Sequence, residues 1–180
     1  MSTTIPGAIK GIKEALELHF ANKGLEWKAQ ESQDEHSQQK PVIYPFLCAD
    51  RNGANFPTVC PSITIEVTDV MAENQALTLG IVLHCVVVNS AIIEREHVQK
   101  KGDFYEFLDG DGYTDTGVVE SLYSDCLLLG EEALNALRPL PSVKNIKLVT
   151  PDSMDDFPYC QCQVSATVSA LAQFFEEELL

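Results

Sequence analysis

The stretch Leu77-Thr78-Leu79-Gly80-Ile81-Val82-Leu83-His84-Cys85-Val86-Val87-Val88 decides the fold. Its apolar residues recur at every second position, which is the period of a strand. Leu77, Leu79, Ile81, Leu83, Cys85 and Val87 take one face. The other face holds Thr78, Gly80, Val82, His84, Val86 and Val88, and is too apolar to stand wholly in water. Either another part of the chain or another subunit is expected to cover it.

Working outward, Ser62 to Val70 alternates in the same way, with Ile63, Ile65 and Val67 on one face. The short polar run Ala72-Glu73-Asn74-Gln75 predicts a turn joining the two strands. Val143 to Val149 reads as a third strand. A fourth runs from Tyr159 to about Ala170, with Cys160, Cys162, Val164, Ala166 and Val168 facing in. Two helices interrupt the strands. Thr4 caps the first, predicted over about 6–22, with Pro6 in its opening turn and Gly24 past its end. Ile9, Ile12, Leu16 and Phe20 recur along it at helical spacing. The second is predicted over about 117–137, capped by Asp115 or Thr116 and ended by Pro139. Its stripe is Val118, Val119, Leu122, Cys126, Leu127, Ala133, Leu134 and Leu137.

The expected order is α-β-β-α-β-β. It gives an α+β domain with a four-stranded, mostly antiparallel sheet and two helices on one face. Residues 1–180 read as one domain. A polar arm is expected at about 28–60, where Pro41, Pro45, Pro57 and Pro61 suggest an extended segment pinned to a surface. A long charged and aromatic loop is expected at about 89–115, and a mobile acidic tail at 171–180.

Hydrophobic residues make up 45% of the chain, enough for a core without disulfide or metal support. The net charge of -15 opposes binding to nucleic-acid phosphates. It is uneven: residues 94–132 carry -8 and residues 150–180 carry -6, while residues 133–149 carry +3. The sequence opens without a basic and apolar leader, and no apolar run approaches the ~20 residues of a membrane helix. A cytoplasmic, soluble protein is expected, and its six cysteines read as reduced thiols.

No motif demands a cofactor or catalysis. Asp109, Asp111 and Glu120 fall at positions 1, 3 and 12 of a calcium loop, but Tyr113 and Thr114 occupy positions 5 and 6, where an oxygen ligand and a glycine belong. The plainer reading is an acidic loop entering a helix. Cys48, Cys60, Cys160 and Cys162 lack the paired knuckle spacing of a zinc site, so buried thiols are favoured. His84 reads as a packed or interface histidine, and His19, His36 and His97 stand in no catalytic signature. Gly110-x-Gly112 lacks a third glycine and is flanked by acids, so it makes no phosphate cradle.

Three phrases, with the order of elements, carry a family resemblance. Tyr44-Pro45-Phe46 precedes the strand Cys60-Pro61-Ser62-Ile63-Thr64-Ile65-Glu66-Val67; Asp111-Gly112-Tyr113 leads into the long helix; Phe157-Pro158-Tyr159 opens the last strand. In these the chain resembles the tail terminator, or tail completion, proteins of long-tailed bacteriophages, the lambda-type minor tail proteins. The resemblance spans about residues 5–170. The connection from Glu94 to Gly110 and the aromatic acidic tail depart from it.

The resemblance implies a structural protein with no catalysis and no cofactor. It would assemble in the cytoplasm as a homo-oligomeric, usually hexameric ring and end in the virion tail. Its partners would be the tail tube and head–tail connector proteins. Val82, His84, Val86 and Val88 are then expected on a subunit-facing sheet surface, and Tyr105, Phe107 and Tyr113 at a partner contact. Two rival expectations are a calcium-dependent interaction domain centred on Asp109–Glu120 and a small-molecule enzyme using His84 and Cys85.

Overall fold

The computed structural model describes residues 4–28, 38–45, 60–73, 76–88, 98–101, 104–107, 116–150 and 159–171. Helix α1 spans Ile5–Lys23. The Thr4 hydroxyl accepts a hydrogen bond from the Gly7 amide at 3.3 Å, satisfying one of the free donors of the first turn. At the other end Gly24 sits at φ 66 and its amide donates to the Phe20 carbonyl. A side chain at Gly24 would oppose that left-handed backbone. Ile9, Ile12, Leu16 and Phe20 are buried, as their spacing predicts. After the helix, Trp27 packs edge-on against Phe20 with ring centroids 5.8 Å apart. Its indole N–H donates to the Asp125 carbonyl of the second helix at 3.1 Å.

Strands β1 (Trp27–Lys28) and β2 (Gln38–Gln39) form a small antiparallel ribbon. The main sheet has five strands, not four. They are β3 (Val42–Pro45), β4 (Ser62–Glu73), β5 (Ala76–Val88), β8 (Val143–Val149) and β9 (Tyr159–Leu171), in the order β3-β4-β5-β9-β8. The extra strand is β3, which the prolines disguised. It pairs in parallel with Ser62–Ile65 of β4, and every other pairing is antiparallel. Proline is tolerated there because β3 lies at the sheet edge, and Pro41 and Pro45 stand just before the strand and at its last position. The Gln39 side chain donates to the Cys60 carbonyl and the Val42 amide to the Pro61 carbonyl, which seats the strand.

Two further boundaries differ from expectation. Strand β4 runs on to Glu73, and its pairing with β5 continues to Glu73–Ala76. The connection read as loop at 89–115 contains the antiparallel strands β6 (Val98–Lys101) and β7 (Phe104–Phe107). Residues 151–158 and tail residues 172–180 lie outside the described residues.

Helix α2 spans Thr116–Leu137 and lies across β5, β9 and β8, while α1 packs on α2 and β3. Its buried stripe is Leu122, Cys126, Leu129, Ala133, Ala136 and Leu137. The expected stripe holds at Leu122, Cys126, Ala133 and Leu137, whereas Leu127 and Leu134 are half-buried and Leu129 and Ala136 take core positions. The core is a single layer between the helices and one sheet face. Cross-strand neighbours Ile63–Cys85–Cys162 and Ile65–Leu83–Val164 fill it, and all six side chains are buried. No helix among the described residues is long and apolar enough to cross a membrane.

Candidate interaction surface

The strand period that buries Leu83 and Cys85 turns Val82 and His84 to the sheet face away from the helices. Strand register aligns this face in rows. One row is Val42, Ser62, Val86 and Gln161; the next is Tyr44, Thr64, His84 and Gln163. Below them come Glu66, Val82, Ser165 and Lys147, then Asp69, Gly80, Thr167 and Lys144.

His84 organises the centre of the face. Its Nε2 lies 2.6 Å from Glu66 Oε2, and its Nδ1 lies 2.8 Å from Gln161 Nε2. An amide N–H donates to Nδ1, so that nitrogen carries a lone pair and the proton sits on Nε2, pointing at the carboxylate. Both ring nitrogens are therefore engaged. A general base needs a free ring lone pair beside the group it deprotonates, and this ring offers none in this arrangement. Cys85 cannot partner it either: adjacent strand residues point to opposite faces, and Cys85 is fully buried in the core.

The apolar members divide into two kinds. Val86 and Val88 are buried within the chain, in a small cluster with Cys60 against which Tyr159 packs. The expectation that something covers this part of strand β5 is met by the chain's own residues. Val82 and His84 stay partly open. Burial pushes the Cys60 thiol up to about 12, against a smaller lowering by the Ser62 hydroxyl. The Ser62 oxygen is itself buried and makes no well-formed hydrogen bond among the described residues.

The other expected contacts are placed less fully. Tyr105 and Phe107 belong to β7. Tyr113, Asp109 and Asp111 lie outside the described residues, and Glu120 falls in the second turn of α2.

The thiols are also sorted by face. Cys160 and Cys162 lie in the core, whereas Cys60 lies on the opposite face, so these do not converge; Cys48 is outside the described residues. Cys85 and Cys126 do meet Cys160 and Cys162 beneath α2. The Cys162 thiol donates to the Cys126 carbonyl at 3.2 Å. Hydrogen bonds to the thiols of Cys160 and Cys162, together with burial, push Cys126 up. A hydrogen bond to Cys162, then burial, pushes Cys85 up, and Cys162, receiving those bonds, is drawn down. Among the described residues no group of three or more His, Cys, Asp or Glu is arranged to hold a metal ion.

A second polar contact ties the helices. Glu132 on α2 is 8% exposed and lies 2.6 Å from His19 Nε2 and 3.5 Å from Lys23 Nζ, both on α1. Sequence reading missed Glu66, Gln161 and Glu132 as partners. The first two could be found only from register, because residues 18 and 77 positions from His84 meet it solely through strand pairing.

No family model and no curated protein matches the sequence.

Proposed function

We propose that this chain is a structural, non-catalytic assembly protein of the tail-terminator kind. It acts as an oligomeric ring that caps the tail tube and joins tail to head, in contact with tube and head–tail connector proteins. The observation that supports the reading is the asymmetry of the sheet. Two helices cover one face, and the other carries a fixed polar and apolar pattern around His84 and Val82. The occupied ring nitrogens of His84 and the burial of Cys85 favour contact over chemistry at that face. The element order α-β-β-α-β-β persists among the long elements once the short edge and hairpin strands are set aside.

The test is native mass by light scattering across a concentration series, with negative-stain images of the same fractions. A ring-shaped oligomer is expected. A particle of 19.8 kDa at every concentration, with and without purified tail-tube protein, overturns the reading.

A further inference from the structure

The two edges of the main sheet are matched to each other. On β4, strand β3 takes only Ser62–Ile65, and among the described residues nothing pairs with the outward edge from Glu66 to Glu73. On β8, the edge turned away from β9 is likewise unpaired among the described residues, over Val143–Val149. The open lengths are eight and seven residues. Val70 and Met71 on the β4 edge are 48% and 52% exposed. An open edge presents free amides and carbonyls that a further strand can use.

Charge separates the edges. The β4 edge carries Glu66 and Asp69; the β8 edge carries Lys144 and Lys147 in the one clearly basic stretch of an acidic chain. Each pair is three residues apart, a spacing that in a regular strand would put the two on opposite faces. Both strands carry a register shift between their two charges, at Val67/Asp69 and at Lys144/Lys147. The shift returns each pair to one face, the face away from the helices. On β8 it is held by Asn145 at φ 54, whose amide donates to the Thr167 hydroxyl, which in turn donates to the Lys144 carbonyl.

The levels also agree. Glu66 shares a row with Lys147 through Val82 and Ser165, and Asp69 shares the next with Lys144 through Gly80 and Thr167. The two ends of each row are three strand spacings apart, about 14 Å, too far to pair within one chain. Three antiparallel steps from β4 to β8 make those two strands run in opposite directions.

We propose that copies of this chain join head to tail by pairing β8 of one copy antiparallel with β4 beyond Ile65 of the next, setting Lys147 against Glu66 and Lys144 against Asp69. The inference rests on the ring reading and names its joint. Like charges oppose β4–β4 and β8–β8 pairing, so the unlike pair is selected. Because each row meets its continuation at the same level, successive copies need no displacement along the strands. Such a head-to-tail contact closes into a ring when its rotation divides a full turn.

The experiment uses two full-length variants, Lys144→Glu with Lys147→Glu, and Glu66→Lys with Asp69→Lys. Each now carries like charges on both edges. Each alone is expected at the 19.8 kDa monomer mass with an unchanged far-ultraviolet circular dichroism spectrum. Mixed in equal amounts, they present complementary edges again and are expected to recover an oligomer with an even number of subunits. If Glu66→Lys disturbs folding by releasing His84, Asp69→Lys alone replaces it. Variants that keep the wild-type oligomer mass overturn the joint and leave the ring reading standing, as do folded variants whose mixture stays monomeric. A wild type that never self-associates overturns both. Amide hydrogen exchange gives a second readout: residues 66–70 and 143–147, which this register sets opposite each other, should be protected in the oligomer and exchange in the dilute monomer. Equal protection in both would mean the edges are already covered, and the joint fails.

Discussion

The carboxylate of Glu132 on α2 is held by His19 of α1 at 2.6 Å and, more loosely, by Lys23 at 3.5 Å. It is the only charged residue buried among those described, and the pair spans 113 positions of sequence. A carboxylate only accepts, so the His19 Nε2–H donates. Removing one partner strands the other in a nearly dry site. His19→Ala should therefore cost about 1–3 kcal/mol in urea unfolding. The double variant His19→Ala with Glu132→Ala should cost less than the sum of the two single changes, with a coupling of about 1 kcal/mol. Additive losses would mean the contact contributes nothing specific to the docking of α1.

A spectroscopic consequence follows from Gln161 facing Nδ1 of His84. In the neutral ring the proton should reside on Nε2, shielded by Glu66. Ring nitrogen-15 NMR should show that tautomer as the dominant species. Gln161→Leu removes the donor to Nδ1, so the other tautomer should become populated and stability should fall by about 0.5–1.5 kcal/mol. An unchanged tautomer ratio would show that Glu66 alone orients the ring.

Alkaline pH should expose the burial of Cys60. Its folded thiol is pushed up to about 12 from an ordinary value of 9.0. A raised value means the folded state holds the proton more tightly than the unfolded state. The contribution to stability is complete below about pH 9 and is lost as pH rises toward 12. Within that window it falls by about 1.4 kcal/mol per pH unit. Urea unfolding of the wild type should lose stability more steeply between pH 9 and 11 than that of Cys60→Ala. Parallel curves would contradict this. In the same state Cys60, Cys85, Cys126, Cys160 and Cys162, all buried, should resist alkylation at neutral pH until the protein unfolds.

Sequence periodicity exposed four of the five main strands because each has one buried face. It missed β3 because that strand is short, bounded by proline and parallel to its neighbour, so its identity lies in its pairing with Ser62–Ile65 and not in its own alternation. Helix α1 was legible down to its caps, since Thr4 and Gly24 act locally. The α2 stripe was legible at Leu122, Cys126, Ala133 and Leu137 but not in its middle: Leu127, Leu128 and Leu129 stand in succession, and only packing on the sheet selects Leu129. Val82 and His84 were placed on the correct face, whereas the cover over Val86 and Val88 comes from Cys60 and Tyr159, each distant in sequence. The matched charges at the sheet edges were illegible for the same reason. Glu66 and Lys147 share a row only after three strand registers, β4–β5, β5–β9 and β8–β9, have been fixed, the last with its irregularity.

Helix α2 packs closely on the sheet at Gly130, and there two opposing effects can be weighed. Replacing a helical glycine by alanine ordinarily stabilises a helix by about 1 kcal/mol. At Gly130 the added methyl would stand 2.5 Å from Cys162 Sγ and 2.8 Å from Leu148 Cδ1. Cys162 is 1% exposed and wedged under the helix, so its sulfur has no solvent to retreat into, whereas Leu148 is only half-buried and can give way. Overpacking of this kind costs about 1–3 kcal/mol, which outweighs the gain in helix propensity. Gly130→Ala should thus lower the unfolding midpoint in urea. Adding Cys162→Ala removes the sulfur that the methyl meets, so Gly130→Ala should be less harmful, or even favourable, in that background. A substitution that stabilises the wild type would show that α2 shifts away from β9 without penalty, and that the thiol cluster beneath it is loosely packed.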